Sequence, residues 1–383
     1  DLEKLLPGQN LAENAPFQSL GVTSLTALRL CAALTERLGV PVPASAVFNY
    51  PDIGSLANHL AALAQGTSSR NAAGAQDDNP AAAREPLAVI GVSCRFPGGI
   101  NDMDGLWNFL AAGRDAVVPI PAERWDRERY YSADRQAPGK MYTREGAFLA
   151  APNPPIENFD AFFFNISARE ALQLDPQQRL LLELSWEAFE NGAIDPFAWR
   201  GKEVGVFVAM TNNEYSHAHR ESYHRERIDA YSLTGTTMSG ACGRLSYFYG
   251  FEGPCFTVDT ACSSGIVALH AACQSLRRGE SAMALVASVT LMLTPDLHIC
   301  FSKLGAISPD GRSKAFDDGA DGYGRGEGGA ALVLKRLSDA ERDGDPILGL
   351  IRGTAINQDG KSNGLTSPNG RAQQKVIAGA LAD

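Results

Sequence analysis

The 383-residue chain has no long hydrophobic run; its longest apolar stretch, Ala282 to Leu293, is broken by serine and threonine. A helix needs about 20 apolar residues to cross a bilayer, so this stretch reads as a buried strand. Basic excess is missing as well. Lys and Arg number 34 against 44 Asp and Glu, a net charge of −10, so the composition offers no positive footprint for nucleic acid or an anionic membrane. The seven cysteines (31, 94, 242, 255, 262, 273 and 300) contain no CxxC pair. That argues against a disulfide framework and for a reducing, cytoplasmic compartment. No secretory signal opens the sequence. The absence of an initiator methionine at Asp1, and a helical pattern just begun at Asp383, make us expect a piece of a longer polypeptide.

What is present is the composition of a globular protein, 44% hydrophobic and 20% charged, with length enough for a sizeable core. The chain is organised around Phe256-Thr257-Val258-Asp259-Thr260-Ala261-Cys262-Ser263-Ser264-Gly265. Phe256 to Asp259 reads as a strand, and Ser264 to Arg278 as a helix with Ile266, Leu269, Cys273 and Leu276 on one stripe. Cys262 therefore falls on a strand-to-helix corner. Free backbone N–H groups and the helix dipole there favour thiolate over thiol, which makes a nucleophile. Ser263, Ser264 and Gly265 keep the corner small.

Around it, apolar runs at Pro86 to Cys94, Val204 to Met210, Met283 to Leu291, Ala330 to Leu334 and Ile347 to Ile356 read as strands covered on both faces. Between them lies a helix with Asp175 as N-cap and Pro176 at its first position, burying Leu181, Leu184 and Ala188 and closed by Gly192. Alternating strands and helices predict an α/β layered fold. Residues 1–65 read differently, as a small all-α bundle. A helix runs from about Ser24, with Thr23 as N-cap, to Arg37, with Leu30, Leu34 and Leu38 on one face. A second spans Asp52 to Ala64. Residues 66–85 lack Val, Ile, Leu and aromatics and form a flexible tether. Its 20 residues have a span of about 25 Å, which holds the two parts at an effective concentration on the order of millimolar.

The segment Gly253 to Gly265 closely resembles the active-site motif of the β-ketoacyl synthases. The resemblance extends over 86–383 through Asp175-Pro176-Gln177-Gln178-Arg179, Gly243-Arg244-Leu245-Ser246-Tyr247, Ser308-Pro309-Asp310-Gly311 to Gly328, and Asn357-Gln358-Asp359-Gly360 to Gly370. It implies a thiolase-like αβαβα fold, a homodimer, and Cys262 as the residue carrying the acyl chain as a thioester. Leu20-Gly21-x-x-Ser24-Leu25 with Val47-Phe48-Asn49-Tyr50-Pro51 resembles the acyl carrier domain of modular polyketide synthases. That implies a 4′-phosphopantetheine arm on Ser24, attached by a phosphopantetheinyl transferase. Two departures stand out: Thr23 replaces the family's Asp before the serine, and most of the first carrier helix would lie upstream of Asp1.

Other patterns have simpler readings. Gly324-Arg325-Gly326-Glu327-Gly328-Gly329 satisfies GxGxxG but precedes a strand instead of following one, so it is a tight loop and not a nucleotide site. His217, His219 and His224 lie in a polar stretch without ordered metal partners, and no metal site is expected. His270 is two helical turns beyond Cys262, too far for its base. The family's two catalytic histidines stand in His-Gly-Thr-Gly-Thr and Asn-x-Gly-His motifs, and none of this chain's six does. The expected activity is polyketide chain elongation from acyl and malonyl-type carrier thioesters, with the chain by itself unable to condense. A non-elongating acyl relay, or a fatty-acid or polyunsaturated-fatty-acid synthase fragment, remains open.

Ser24→Ala is expected to abolish the mass gain on treatment with coenzyme A and a phosphopantetheinyl transferase. An unchanged gain in the mass spectrum would move the attachment elsewhere.

Overall fold

The computed structural model describes residues 12, 17, 20, 22, 24–43, 46–50, 52–64, 85–217 and 228–383. The chain divides into two compact units, one of residues 85–352 and one combining 1–84 with 353–383. The expected tether lies, save for Glu85, outside the described residues, as does Thr23.

In the smaller unit, α1 (Ser24–Leu38) and α3 (Ile53–Ala64) form where the sequence places helices, and a short α2 (Ala46–Asn49), not expected from the sequence, lies between them. Leu30, Cys31, Val47, Tyr50, Leu56 and Leu60 are buried together, with Leu34 and Leu38 packed against them. The last turns of α1 are tied to the connection by Thr35, whose hydroxyl donates to the Cys31 carbonyl at 2.9 Å and accepts from Val42 N–H at 2.9 Å. The Arg371 guanidinium lies over the Tyr50 ring, 3.4 Å from its centroid.

The larger unit is built on a six-stranded sheet of order β5-β4-β6-β7-β1-β8. Its strands are β1 (Leu87–Arg95), β4 (Val204–Ala209), β5 (Cys255–Val258), β6 (Met283–Thr290), β7 (Gly328–Arg336) and β8 (Gly349–Ile351), while β2 (Val117–Pro119) and β3 (Glu145–Ala147) make a separate pair. Strands β5, β4 and β6 run parallel, and β7, β1 and β8 join antiparallel. The strand expected from Ile347 is shorter, with only Gly349–Ile351 pairing to β1.

Period-two alternation sends β4 to two cores. Val204, Val206 and Val208 face α4 (Pro176–Asn191) and α5 (Met238–Tyr249), whereas Phe207 and Ala209 face α6 (Ser264–Arg277). Helix α4 starts as the sequence indicates, with the Asp175 carboxylate accepting from Gln177 N–H at 2.8 Å and Pro176 in the first turn. The expected stripe of α6 holds at Cys273 and Leu276, with Leu269 packed beside them, and fails at Ile266. Its buried face is Ala268, Ala272, Cys273 and Leu276, and Ile266 is 64% exposed. Small alanines let the helix approach the sheet, and the bulkier Ile266 is turned away.

One glycine sets how closely α4 can approach. A Cβ on Gly91, beside the bulge in β1, would sit 2.3 Å from the Ala188 carbonyl oxygen of α4. Gly91→Ala forces helix and sheet apart, and overpacking of this kind costs about 1–3 kcal/mol. A denaturant titration of the variant is expected to show a midpoint lowered accordingly.

Candidate active site

Strands β4, β5 and β6 are parallel, so their C-terminal ends lie at one end of the sheet, where open α/β sheets place their ligands. Cys262 stands at that end, exposed, between β5 and α6. The corner is tied by its own side chains. The Ser264 hydroxyl accepts from Thr260 N–H at 2.8 Å and donates to the Ala261 carbonyl at 2.7 Å. The Ser263 hydroxyl bonds the Thr260 carbonyl and hydroxyl, both at 2.9 Å, and Asp259 accepts from Ala261 N–H at 3.1 Å. These bonds hold Ala261 at φ +54°, a left-handed conformation that costs an alanine energy and persists only where the surroundings enforce it. A Cβ on Gly265 would come no nearer than 3.8 Å to Ser288, so packing does not demand glycine there.

The motifs that surround the cysteine in sequence act as its frame. Gln177 is fully buried; its amide donates to the Asn212 carbonyl at 3.2 Å and accepts from Leu291 N–H at 3.1 Å. It thereby joins the segment after β4 to the one after β6. Gln178 donates to the Gly235 and Thr237 carbonyls and accepts from Arg244 at 3.2 Å, and Arg244 pairs with Glu170 at 2.6 Å. Glu327 binds Arg124 through both its oxygens and accepts from Leu149 N–H at 2.7 Å and Met292 N–H at 2.8 Å. The Arg124 and Glu327 side chains are 4% and 0% exposed. Glycines 324 and 326 belong to the loop before β7 and Gly328 opens the strand; a Cβ on Gly324 would sit 1.9 Å from the Gly311 carbonyl oxygen. The GxGxxG pattern is thus a packing solution, with its strand following it.

Three residues near the site were not singled out by sequence reasoning. Burial, and then the charge of the neighbouring Cys262 sulfur, pushes the Tyr323 phenol up, which keeps its hydrogen on. The Tyr323 ring meets Phe301 edge-on, and Arg325 lies over the same Phe301 ring at 5.2 Å. Arg325 reaches His298 Nδ1 at 2.8 Å. A guanidinium only donates, so His298 carries its own proton on Nε2. Burial, then the Arg325 charge, lowers the His298 pKa to about 3, so it stays neutral. Tyr323 lies inside a motif quoted above; a lone buried histidine has no sequence signature.

His217 is exposed, His270 is half-buried on α6, and His219 and His224 fall outside the described residues. Among the described residues no cluster of metal ligands occurs. Ser24 is the first residue of α1, in the smaller unit. A cavity of about 460 Å³ lined by Phe159, Phe163, Phe164 and Trp186 opens beside α4, and none of its lining residues belongs to the Cys262 corner.

Comparison with known proteins covers nearly the whole chain. The family described as "Beta-ketoacyl synthase, N-terminal domain" matches residues 84–340, its C-terminal domain matches 348–383, and "Phosphopantetheine attachment site" matches 2–60. Polyketide synthase GfsB of Streptomyces halstedii is 48% identical over 96% of this chain, and the pikromycin polyketide synthase component PikAII of Streptomyces venezuelae is 47% identical over 96%. The chain spans only 6% and 10% of those two proteins. Among solved structures, the oxazolomycin ketosynthase domain OzmH KS7 of Streptomyces albus superposes with a TM-score of 0.71 at 35% identity, covering 78% of this chain and 50% of that one.

The frame makes stability depend on pH at Asp175. Burial raises its carboxyl to about 6, against the lowering by Gln177 N–H, whereas an unfolded Asp ionises near about 3.9. Between these values the folded state holds the extra proton, so this group's contribution to stability falls as pH rises from about 4 to 6. Unfolding titrations across that window are expected to show the decline, and Asp175→Asn to flatten it.

Proposed function

The chain belongs to the β-ketoacyl synthase family and carries a phosphopantetheine attachment domain ahead of it, and on that premise we propose that it is a carrier-to-ketosynthase junction of a modular polyketide synthase. In this reading an acyl thioester is handed to Cys262 for decarboxylative condensation with a malonyl-type extender. The observation that carries it is the nucleophile's corner: an exposed cysteine at the C-terminal end of the parallel strands, beside a residue locked at φ +54° and at the start of a 14-residue helix.

Bound at Ser24, 4′-phosphopantetheine supplies a long flexible thiol that holds an acyl group as a thioester. Ser24 is the first residue of α1, and its hydroxyl would be the point of attachment. Cys262 Sγ, as thiolate, attacks the carbonyl carbon of the acyl thioester. Negative charge gathers on the carbonyl oxygen, against the N–H groups at the start of α6. The C–S bond to the carrier then breaks, and the departing thiolate takes up a proton. The acyl chain is now on Cys262. Condensation further needs groups that assist loss of carbon dioxide from the extender, and none of this chain's six histidines stands in the family motifs that do so.

The same reading gives a phosphopantetheinyl transferase and a second copy of the chain as partners. In support of the latter, β5 is an edge strand and Phe256 on it is 43% exposed. None of the seven cysteines is in a disulfide, as a reducing cytoplasm would keep them, and no helix among the described residues is long and apolar enough to cross a membrane.

Cys262→Ala in the complete polypeptide is expected to stop acyl loading, read by mass spectrometry of the ketosynthase peptide. Continued loading at Cys255 or Cys273 would overturn the assignment. The chain alone, mixed with acyl- and malonyl-carriers, is expected to load but yield no β-ketoacyl product.

A further inference from the structure

One arginine of the smaller unit stands where helix electrostatics would not place it. Arg371 lies in the first turn of α7 (Gly370–Ala382), at the end of the helix dipole that favours acidic side chains and disfavours basic ones. Burial lowers its pKa, with no carboxylate set against that loss of water. What its guanidinium meets is the Tyr50 ring, 3.4 Å from the centroid. His59 stacks on the same ring at 4.3 Å, 18° from parallel. The two cannot share one face at these separations, so the ring lies between them, 7% exposed. A cation over a desolvated ring is the stronger form of this contact.

A second contact falls three residues earlier, on the same side of the α2 turn. The Asn363 amide donates to the Val47 carbonyl at 2.5 Å. Val47 sits near the end of the four-residue α2, where a helix leaves its carbonyls without partners of its own.

The segment that carries Arg371 and Asn363 holds both in place. Asn369 caps α7, accepting from Arg371 N–H at 3.1 Å and Ala372 N–H at 3.3 Å, and its amide reaches back to the Asp359 carbonyl at 2.7 Å. Asn357 donates to the Ala372 carbonyl at 2.7 Å, and the Ser362 hydroxyl bonds the Gly364 and Ser367 carbonyls. The loop is thus folded onto the first turn of α7, and a surface ordered beforehand loses less freedom on binding.

We infer that residues 357–372 are a docking surface for the carrier bundle of the same polypeptide, which they hold at Val47 and Tyr50. Both contacts fall outside α1, the helix that begins at Ser24. Docking therefore gives the tethered carrier a defined resting place without relying on the helix assigned to the arm.

The test is hydrogen–deuterium exchange of the full chain, read by mass spectrometry. In Arg371→Glu the peptide covering 46–60 is expected to exchange about fivefold faster, the loss of one desolvated cation–π contact. Asn363→Ala is expected to act in the same direction, and Arg371→Lys to stay near the original rate. Glutamate suits the first turn of a helix, so α7 itself is expected to keep its protection in Arg371→Glu. Unchanged exchange of 46–60 in both Arg371→Glu and Asn363→Ala overturns the inference. So does an acceleration that spreads to β1 and β4, since that reports unfolding of the chain. Dilution of the unaltered chain is expected to change nothing; protection that falls on dilution would assign the contact to a second copy and overturn docking within one chain. The inference rests on the carrier reading of residues 1–65, but exchange is measured with no arm on Ser24, so its failure and a missing mass gain at Ser24 are separate outcomes.

Discussion

One buried carboxylate holds together the end of the sheet where the chemistry is placed. Glu327 gathers Arg124, Leu149 N–H and Met292 N–H, three groups brought from distant parts of the chain, immediately before the strand β7. At low dielectric each of these bonds is strong, and losing any one leaves a charge or donor stranded. The arrangement therefore tolerates little intermediate geometry. Gln177 repeats the device with a neutral amide between the segments after β4 and β6. A frame so constrained leaves few ways for the Cys262 corner to relax, which is what a site that stabilises developing charge requires, since its dipoles must be in place before the reaction begins.

How far the sequence revealed this differs from element to element. Helix α4 was legible to the residue because Asp175 and Pro176 mark its start by local chemistry. The central strands were legible because both faces of the sheet are covered, which makes them uniformly apolar. Helix α6 was legible in extent and, through Leu269, Cys273 and Leu276, in orientation, except at Ile266, which hydropathy favours but the sheet passes over for the small Ala268 and Ala272. Glu327 and Gln178 could be seen as motif members, yet not as struts, because their partners lie far away in sequence. His298 offered nothing to read: its neutrality is a consequence of Trp125, Phe148 and Arg325 closing round it.

The Gly-rich loop before β7 shows how a pattern and its cause separate. Its glycines match a phosphate-binding spacing, but the space at Gly324 is taken by the backbone of Gly311. The loop's polar side chains are likewise committed to one another. Ser308 bonds Asp310 at 2.6 Å and Asp321 at 2.8 Å, and Lys314 bonds the same two carboxylates. Folding this loop on itself carries Tyr323 to the cysteine and Arg325 to His298.

The sheet order also governs when the fold can close during synthesis. β1 emerges first among the strands, but both its neighbours, β7 and β8, begin at Gly328 or later. At about 5–20 residues per second, the ribosome takes on the order of tens of seconds to supply them. Until then an apolar strand has its hydrogen-bonding edges open. The interval is long compared with the microseconds in which local hairpins form, so this stretch of the nascent chain stays unpaired through most of the synthesis of the sheet.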